Sequence, residues 1–139
     1  MGSAAGPLDK PSLEEGAQFT PRFSAEGLIA CVTIDDQSGD VLMLAHMNKQ
    51  ALDKTLASGI MHYWSRSRGA LWRKGDTSGQ IQSLVELRVD CDQDALLARV
   101  TVAGDGGACH TGRRSCFYRR VETARGDIRL VRTNDISTV

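Results

Sequence analysis

The sequence predicts a β-rich α+β fold in a single domain, and three observations predict it. Short β-branched and apolar runs recur along the chain, separated by clusters of Gly, Asp and Ser. One segment alone, 49–58, carries a clear helix start and stop. So many strands in a chain of 139 residues must curl or close to manage their edges. That length suits one domain with one core. No repeat or linker divides it. Residues 1–20, beginning "MGSAAGPLDKPSLEEG", read as a flexible leader, and 21–139 as the domain.

The elements follow in order. "LIACVTI" (28–34) is an apolar strand, "DDQSGD" a turn, and "VLMLAHM" (41–47) the returning strand of a hairpin. Asn48 can cap a helix through "KQALDKTLAS", and Gly59 can end it. "IMHYWSRS" (60–67) reads as a strand. "RGALWRKGDTSG" is a loop with a short ordered piece around Leu71 and Trp72. "IQSLVELRVDCD" (81–92) is a long strand and "ALLARVTVAG" (95–104) its return. "CFYRRVE" and "DIRLVRT" are two more.

Composition bounds the function. Lys plus Arg number 17 and Asp plus Glu also 17, a zero net charge that argues against a general nucleic-acid or membrane-surface binder. The N-terminus lacks the basic start and apolar stretch of a secretory signal, so the expected location is the cytoplasm. Thiols stay reduced there, and the four cysteines read as metal ligands, catalytic groups or core residues before disulfides. Cys31, inside "IACVTI", reads as a core residue.

Two stretches carry metal chemistry. In "VELRVDCDQD" (85–94), strand alternation puts Val85, Leu87, Val89 and Cys91 on a covered face and Glu86, Arg88, Asp90, Asp92 and Asp94 on a wetter one. Thiolate suits Zn²⁺ and carboxylate oxygen suits Mg²⁺ or Ca²⁺, so two distinct sites are expected. The segment imitates an EF-hand loop but fails as one, with Ala95 in place of Gly and Thr101 in place of Glu. "GACHTGRRSC" adds Cys109, His110 and Cys116. Cys91, Cys109 and Cys116 give Zn²⁺ three ligands. His110 could close a Cys₃His site. The favoured reading leaves water in the fourth position with His110 beside it as the acid–base group, since adjacent residues of an extended segment point apart.

"HYWSRSRGALWRKGDTSG" supplies an anion-binding complement. Strand geometry places His62, Trp64, Arg66 and Arg68 on one face, an aromatic plane with guanidinium forks beside it. Lys74, Thr77 and Ser78 follow in a glycine-flanked stretch suited to a phosphate nest, though it is not a P-loop.

Taken together, "VLMLAHMN", "YWSRSRGALWRKGDTSG", "VDCDQDALL" and "ACHTGRRSCF" resemble the phosphoribosyl-AMP cyclohydrolase family of histidine biosynthesis, in order and separation across most of 27–121. His46 stands where that family usually has an aromatic, and Asp76 where Glu is commoner. The resemblance implies a curled mixed sheet, or pseudo-barrel. It implies hydrolytic opening of the N1–C6 bond of 1-(5-phosphoribosyl)-AMP, a phosphorylated nucleotide. It also implies a homodimer whose zinc sites take cysteines from both chains, and a Mg²⁺ requirement. Cys91, Cys109 and Cys116 become the Zn²⁺ ligands, Asp90, Asp92 and Asp94 the Mg²⁺ ligands, and His110 the acid–base group. Trp64, Arg66, Arg68, Lys74, Thr77 and Ser78, read from the residues themselves, form the candidate substrate-binding set. The competing reading is a non-catalytic, zinc-stapled nucleotide- or RNA-binding module. A zinc deaminase is disfavoured because neither H-x-E nor P-C-x-x-C occurs.

Overall fold

The computed structural model describes residues 9–104, 107–109 and 113–133. It begins with a short helix, α1 (Lys10–Glu15), capped by the Asp9 side chain on the Ser12 N–H. Strands β1 (Ile29–Asp35) and β2 (Val41–Met47) form the first hairpin. Helix α2 (Lys49–Ser58) starts at Asn48, whose side chain accepts from the Ala51 N–H, and stops at Gly59 in the left-handed conformation (φ 76°). Strands β3 (His62–Ser65) and β4 (Ala70–Arg73) make a second hairpin, and β5 (Gln82–Val89) and β6 (Ala95–Val102) a third. β7 (Arg119–Ala124) and β8 (Asp127–Arg132) form a separate two-stranded ribbon.

The main sheet has the order β4-β3-β2-β1-β6-β5, antiparallel throughout except for the parallel pair β1–β6. It curls far enough for its two sides to touch. The Met61 N–H donates to Gln82 O at 3.0 Å, the Leu84 N–H to Gly59 O at 2.8 Å, and Ile60 bridges Ser83. This is the curled, mixed, half-closed sheet the sequence calls for, with its edges partly satisfied by each other.

The concave side holds the core: Ile29, Cys31, Met43, Met47, Met61, Tyr63, Leu96, Ala98 and Val100, with Ala51 and Leu52 of α2 laid against it. Cys31 is a core residue, as expected, and burial pushes its thiol up to about 12. A polar relay crosses this apolar interior. The Tyr63 hydroxyl donates to Gln82 Oε1 at 2.6 Å and shares a 2.8 Å hydrogen bond with Thr33 Oγ1. The Gln82 amide nitrogen donates to Met43 Sδ at 3.3 Å. The relay ties β1, β2, β3 and β5 together where the sheet closes, and each of its polar groups is satisfied.

One expected face assignment is corrected. β5 does not alternate cleanly, because its register against β6 slips between Leu84 and Glu86. Leu84 and Leu87 therefore both pack on the core and Val85 is exposed, while Val89, in phase with Leu87, is exposed where the strand ends and Cys91 lies exposed beyond it. A bulge shifts the phase between the residues on its two sides.

The β7–β8 ribbon is two-faced. Val121 opposite Leu130, with Ile128 beside it, forms an apolar face that is 55–74% exposed. The other face carries Arg120–Glu122 and Arg129–Glu122 ion pairs. A two-stranded ribbon with one bare apolar face is marginal by itself.

Replacing Tyr63 with Phe strands Gln82 Oε1 and Thr33 Oγ1 in the core. The expected loss is about 1–3 kcal/mol of unfolding free energy, read from urea titration followed by circular dichroism. An unchanged midpoint would show that the relay does not brace the closure.

Candidate active site

The β5–β6 connection, Asp90–Asp94, folds around its first carboxylate. Asp90 Oδ1 accepts the Asp94 N–H at 2.9 Å and the Ala95 N–H at 3.0 Å, and the Asp90 N–H donates to Ala95 O at 3.0 Å. Burial opposes the charged form of Asp90, but these hydrogen bonds outweigh it and hold the carboxyl below its ordinary range. Asp94 is pushed the other way, by hydrogen bonding to Asp92 and then to Asp90 and by their negative charge. One carboxylate oxygen from each of Asp90, Asp92 and Asp94 lies within 4.8 Å of the others. This cluster of hard oxygens, crowded enough to perturb its own protonation, fits a divalent cation of the Mg²⁺ class.

The thiols divide. Cys109 is buried and Cys116 exposed, and the two lie close enough for Cys109 to disfavour ionisation of Cys116. Their loop is fastened at several points. Backbone hydrogen bonds join Ala108 to Arg114 and Cys109 to Arg113, and the Cys116 N–H donates to Leu42 O at 2.7 Å. Ser115 Oγ donates to Val41 O, and Arg114 reaches the Asp40 carboxylate at 2.9 Å and Asp35 at 3.5 Å. Arg114 is thus an anchor of the loop, and Arg113 lies over the Tyr118 ring at 4.6 Å. Burial, followed by the neighbouring Cys109, pushes the Cys116 thiol up to about 11. A thiol pair that resists ionisation alone but sits beside a cation fits a thiophilic metal, which displaces the protons.

Lys74 is that neighbouring cation. The sequence suggests it for a phosphate nest; instead it is 5% exposed, and its Nζ donates to Ala108 O at 2.7 Å. Desolvation lowers its basicity, while Cys116 and Cys109 favour its charge. It also lies 5.4 Å from the Trp72 ring centroid. Inward placement follows from the turn at Gly75, where φ is 93° and a Cβ would stand 2.4 Å from Ile81 N. Thr77 and Ser78 remain outside on the exposed turn, Ser78 Oγ accepting the Gln80 N–H.

Cys91 lies at the far end of the sheet from this pair. Ala95 aligns with Ala30 at the start of β1, whereas Leu42, which holds Cys116, lies near the Ile34–Val41 pair at its end. The separation along the strands is roughly 12 Å at about 3.3 Å per residue. With Zn–S bonds of about 2.3 Å, one ion cannot take Cys91 and the Cys109–Cys116 pair from a single chain. His110 lies outside the described residues.

The arginine set also divides. β3 ends at Ser65, so His62, Trp64, Arg66 and Arg68 do not continue one strand face. His62 is buried, its ring Nδ1 paired with Ile60 O at 2.8 Å and its N–H held by Thr55 Oγ1. Arg68 turns to the groove of Ser65, Leu71 and Asp76, where Asp76 is paired with Arg73 at 2.6 Å. Arg66 enters a cavity of about 520 Å³ on the side of the sheet opposite the core, together with His46, Ala30, Arg22, Phe23 and Asp94. Ala30, His46 and Trp64 are neighbours across β1, β2 and β3, so the sheet itself floors this cavity. Trp64 lines the adjoining surface with Arg66 and Leu44. The volume is in the range of small-molecule sites.

A family model for phosphoribosyl-AMP cyclohydrolase matches residues 43–118, more than half of the chain. Proteins named phosphoribosyl-AMP cyclohydrolase are similar along nearly the whole length. That of Brucella anthropi is 64% identical over 126 residues, covering 91% of this chain and 89% of its own. That of Brucella canis is 60% identical, covering 94% of each, and that of Mesorhizobium japonicum 58% identical, covering 94% of this chain and 86% of its own. The chain belongs to the phosphoribosyl-AMP cyclohydrolase family. The cyclohydrolase-like motifs thus assemble around two places, the acidic turn with its cavity and the thiol pair with Lys74.

Sequence reasoning had no handle on Arg22, which lies outside its motifs, and gave no role to Gln93, which lies inside "VDCDQDALL". The one available signal for Gln93 was its position in a tight acidic turn, where it adopts φ 62°.

Burial and then the Arg66 charge hold His46 below its ordinary basicity. Removing that charge in Arg66→Ala should raise the His46 pKa, followed through its imidazole proton shift by NMR. Because the folded value is depressed, His46 contributes stability above its unfolded pKa of about 6.5 that is lost as the pH falls through the folded value. An unmoved titration would place Arg66 elsewhere in solution.

Proposed function

We propose that this protein is a cytoplasmic hydrolase of histidine biosynthesis that opens the N1–C6 bond of 1-(5-phosphoribosyl)-AMP, with Zn²⁺ and Mg²⁺ held in separate sites of a homodimer. Family membership supports the activity. The observation that carries the site reading is the shared cavity of Asp94 and Arg66, which brings a hard-cation cluster and a phosphate-reading guanidinium to one face. No helix among the described residues is long and apolar enough to cross a membrane.

Cys109 and Cys116 of one chain, with Cys91 of a second copy, would hold Zn²⁺, and Asp90, Asp92 and Asp94 would hold Mg²⁺. When bound, Zn²⁺ acidifies a water and Mg²⁺ neutralises phosphate charge. Lys74 balances an electron-rich thiolate set and keeps the loop in place through Ala108 O. His110 takes the proton of the water that adds at C6 and returns a proton to the departing N1. Arg66 binds a phosphate, Trp64 offers a ring face, and Arg68, Thr77 and Ser78 extend the polar rim. Binding energy from the two phosphate ends is spent on aligning C6, far from those ends, with the attacking water. An N1-substituted adenine tends to be protonated near neutrality, which makes C6 electrophilic and suits a site rich in thiolate.

Two observations support the homodimer. One chain cannot bring its three thiols to one ion, and the apolar face of the β7–β8 ribbon, Val121, Ile128 and Leu130, suits a second copy as its cover.

A complementation assay tests the shared site. Cys91→Ser and Cys109→Ser should each be inactive. Unfolded together, mixed and refolded, they should recover about one quarter of wild-type activity: half of the dimers are mixed, and each mixed dimer has one of its two sites intact. Absence of any recovery, with dimers present, would place all the thiols of a site on one chain.

A second assay separates the metals. Asp92→Asn should weaken the Mg²⁺ dependence of turnover at least tenfold while zinc content by atomic absorption stays at the wild-type level. Loss of zinc from this variant would merge the two sites into one.

A further inference from the structure

The segment that precedes β1 lies outside the residues 43–118 matched by the family model, and it completes the cavity. It is bound down as a strap across the acidic turn. Gln93 is 3% exposed and adopts φ 62°, a conformation unusual for a residue with a side chain. Its side chain is fully used: Oε1 accepts the Thr20 N–H at 2.7 Å, and Nε2 donates to Leu13 O at 3.1 Å and Gln18 O at 3.2 Å. The Arg22 N–H donates to Gln93 O at 2.7 Å. Two residues on, the strap is pinned again, by the Ser24 N–H on Leu28 O at 2.8 Å, and Phe23 between them packs on the core. The Arg22 backbone is therefore fixed on both sides, although its side chain is exposed.

The Arg22 guanidinium is not among those held by carboxylates. Arg73, Arg88, Arg99, Arg114, Arg120 and Arg129 are paired with carboxylates. Arg22 and Arg66 make no ion pair among the described residues, yet both line the same cavity. The nearest polar contact of Arg22 is a long one, 3.4 Å from Nη1 to Asp92 O. Glu26 and Asp94 also border the cavity, and each is exposed. Two guanidiniums from separate elements, over a cavity of nucleotide-binding size, are suited to a single phosphate dianion.

We propose that Arg22 is a substrate-positioning residue, delivered by the Gln93-anchored strap to bind one phosphate of the nucleotide together with Arg66. This rests on the reading of the substrate as a phosphorylated nucleotide. Arg22 holds the end of the substrate remote from the breaking bond, so its loss falls on binding. The metal-loaded wild type, Arg22→Ala and Arg22→Lys are to be compared by steady-state kinetics on phosphoribosyl-AMP, with thermal unfolding as the check on fold. Arg22→Ala should raise KM about tenfold or more with kcat within twofold of wild type. Arg22→Lys should fall between, because an ammonium keeps the charge and loses the fork. A KM within twofold of wild type in Arg22→Ala overturns the proposal, as does a loss confined to kcat or one explained by unfolding. A wild type without turnover overturns the functional reading and this proposal with it.

Discussion

The parallel pairing of β1 with β6 is the constraint from which the arrangement of this protein follows. An antiparallel sheet of hairpins would return each connection to the end it left. The single parallel pair, Ala30 beside Ala95 and Asp35 beside Val100, instead sends the β5–β6 turn to the start of β1 and the β1–β2 turn to its end. The acidic turn with Cys91 and the loop with Cys109 and Cys116 are each locked to one of those ends, the first through Asp90 and Ala95, the second through Leu42, Val41 and Asp40. The two sulfur sets are thereby segregated within a chain. Under the proposed function, a metal taking both sulfur sets would recruit a second chain, which would couple assembly to metal loading.

Sheet closure is the condition for that segregation to hold. The Tyr63–Gln82–Thr33 relay lies where β5 meets the segment before β3, in an otherwise apolar core of Met, Leu, Ile, Val, Ala and Cys31. Burial drives the Tyr63 hydroxyl well above its ordinary range, which favours the protonated, donating form. A buried relay of this kind adds direction to a core whose apolar contacts alone would tolerate sliding. Direction matters because Gly75, Lys74 and the thiol loop all depend on where the 74–81 turn comes to rest.

Much of this was legible in the chain. The capped helix 49–58 and the β1–β2 and β5–β6 hairpins rest on local signals: Asn48, Gly59, and apolar runs between turn residues; β4 was legible only as a short ordered piece in a loop around Leu71 and Trp72. The acidic triplet was legible as a cluster because three carboxylates within five residues of a turn cannot separate far. What was not legible depends on register or on long-range contact. The slip between Leu84 and Glu86 moved Val85 to the surface, and no local pattern announces a bulge. Lys74 reads as a phosphate ligand from its glycine neighbours, and only the fold reveals a carbonyl and two thiols within its reach. Arg66 and Arg68, two residues apart, go to different grooves because β3 stops between them and Trp64.

The two cationic roles are kept apart by solvent. Lys74 is withdrawn from water, where an ammonium loses much of its hydration and must be compensated by nearby negative charge. Cys116 and Cys109 supply that compensation when ionised, so the lysine and the sulfur pair favour each other's charged forms, and neither is suited to meeting a mobile phosphate. Arg22 and Arg66 stay at the cavity rim with their hydration largely intact. A guanidinium there gives up little solvation to bind a phosphate and can let it go again after turnover. Under the proposed function, the buried cation thus serves the thiol pair, and the exposed ones a ligand that must come and go.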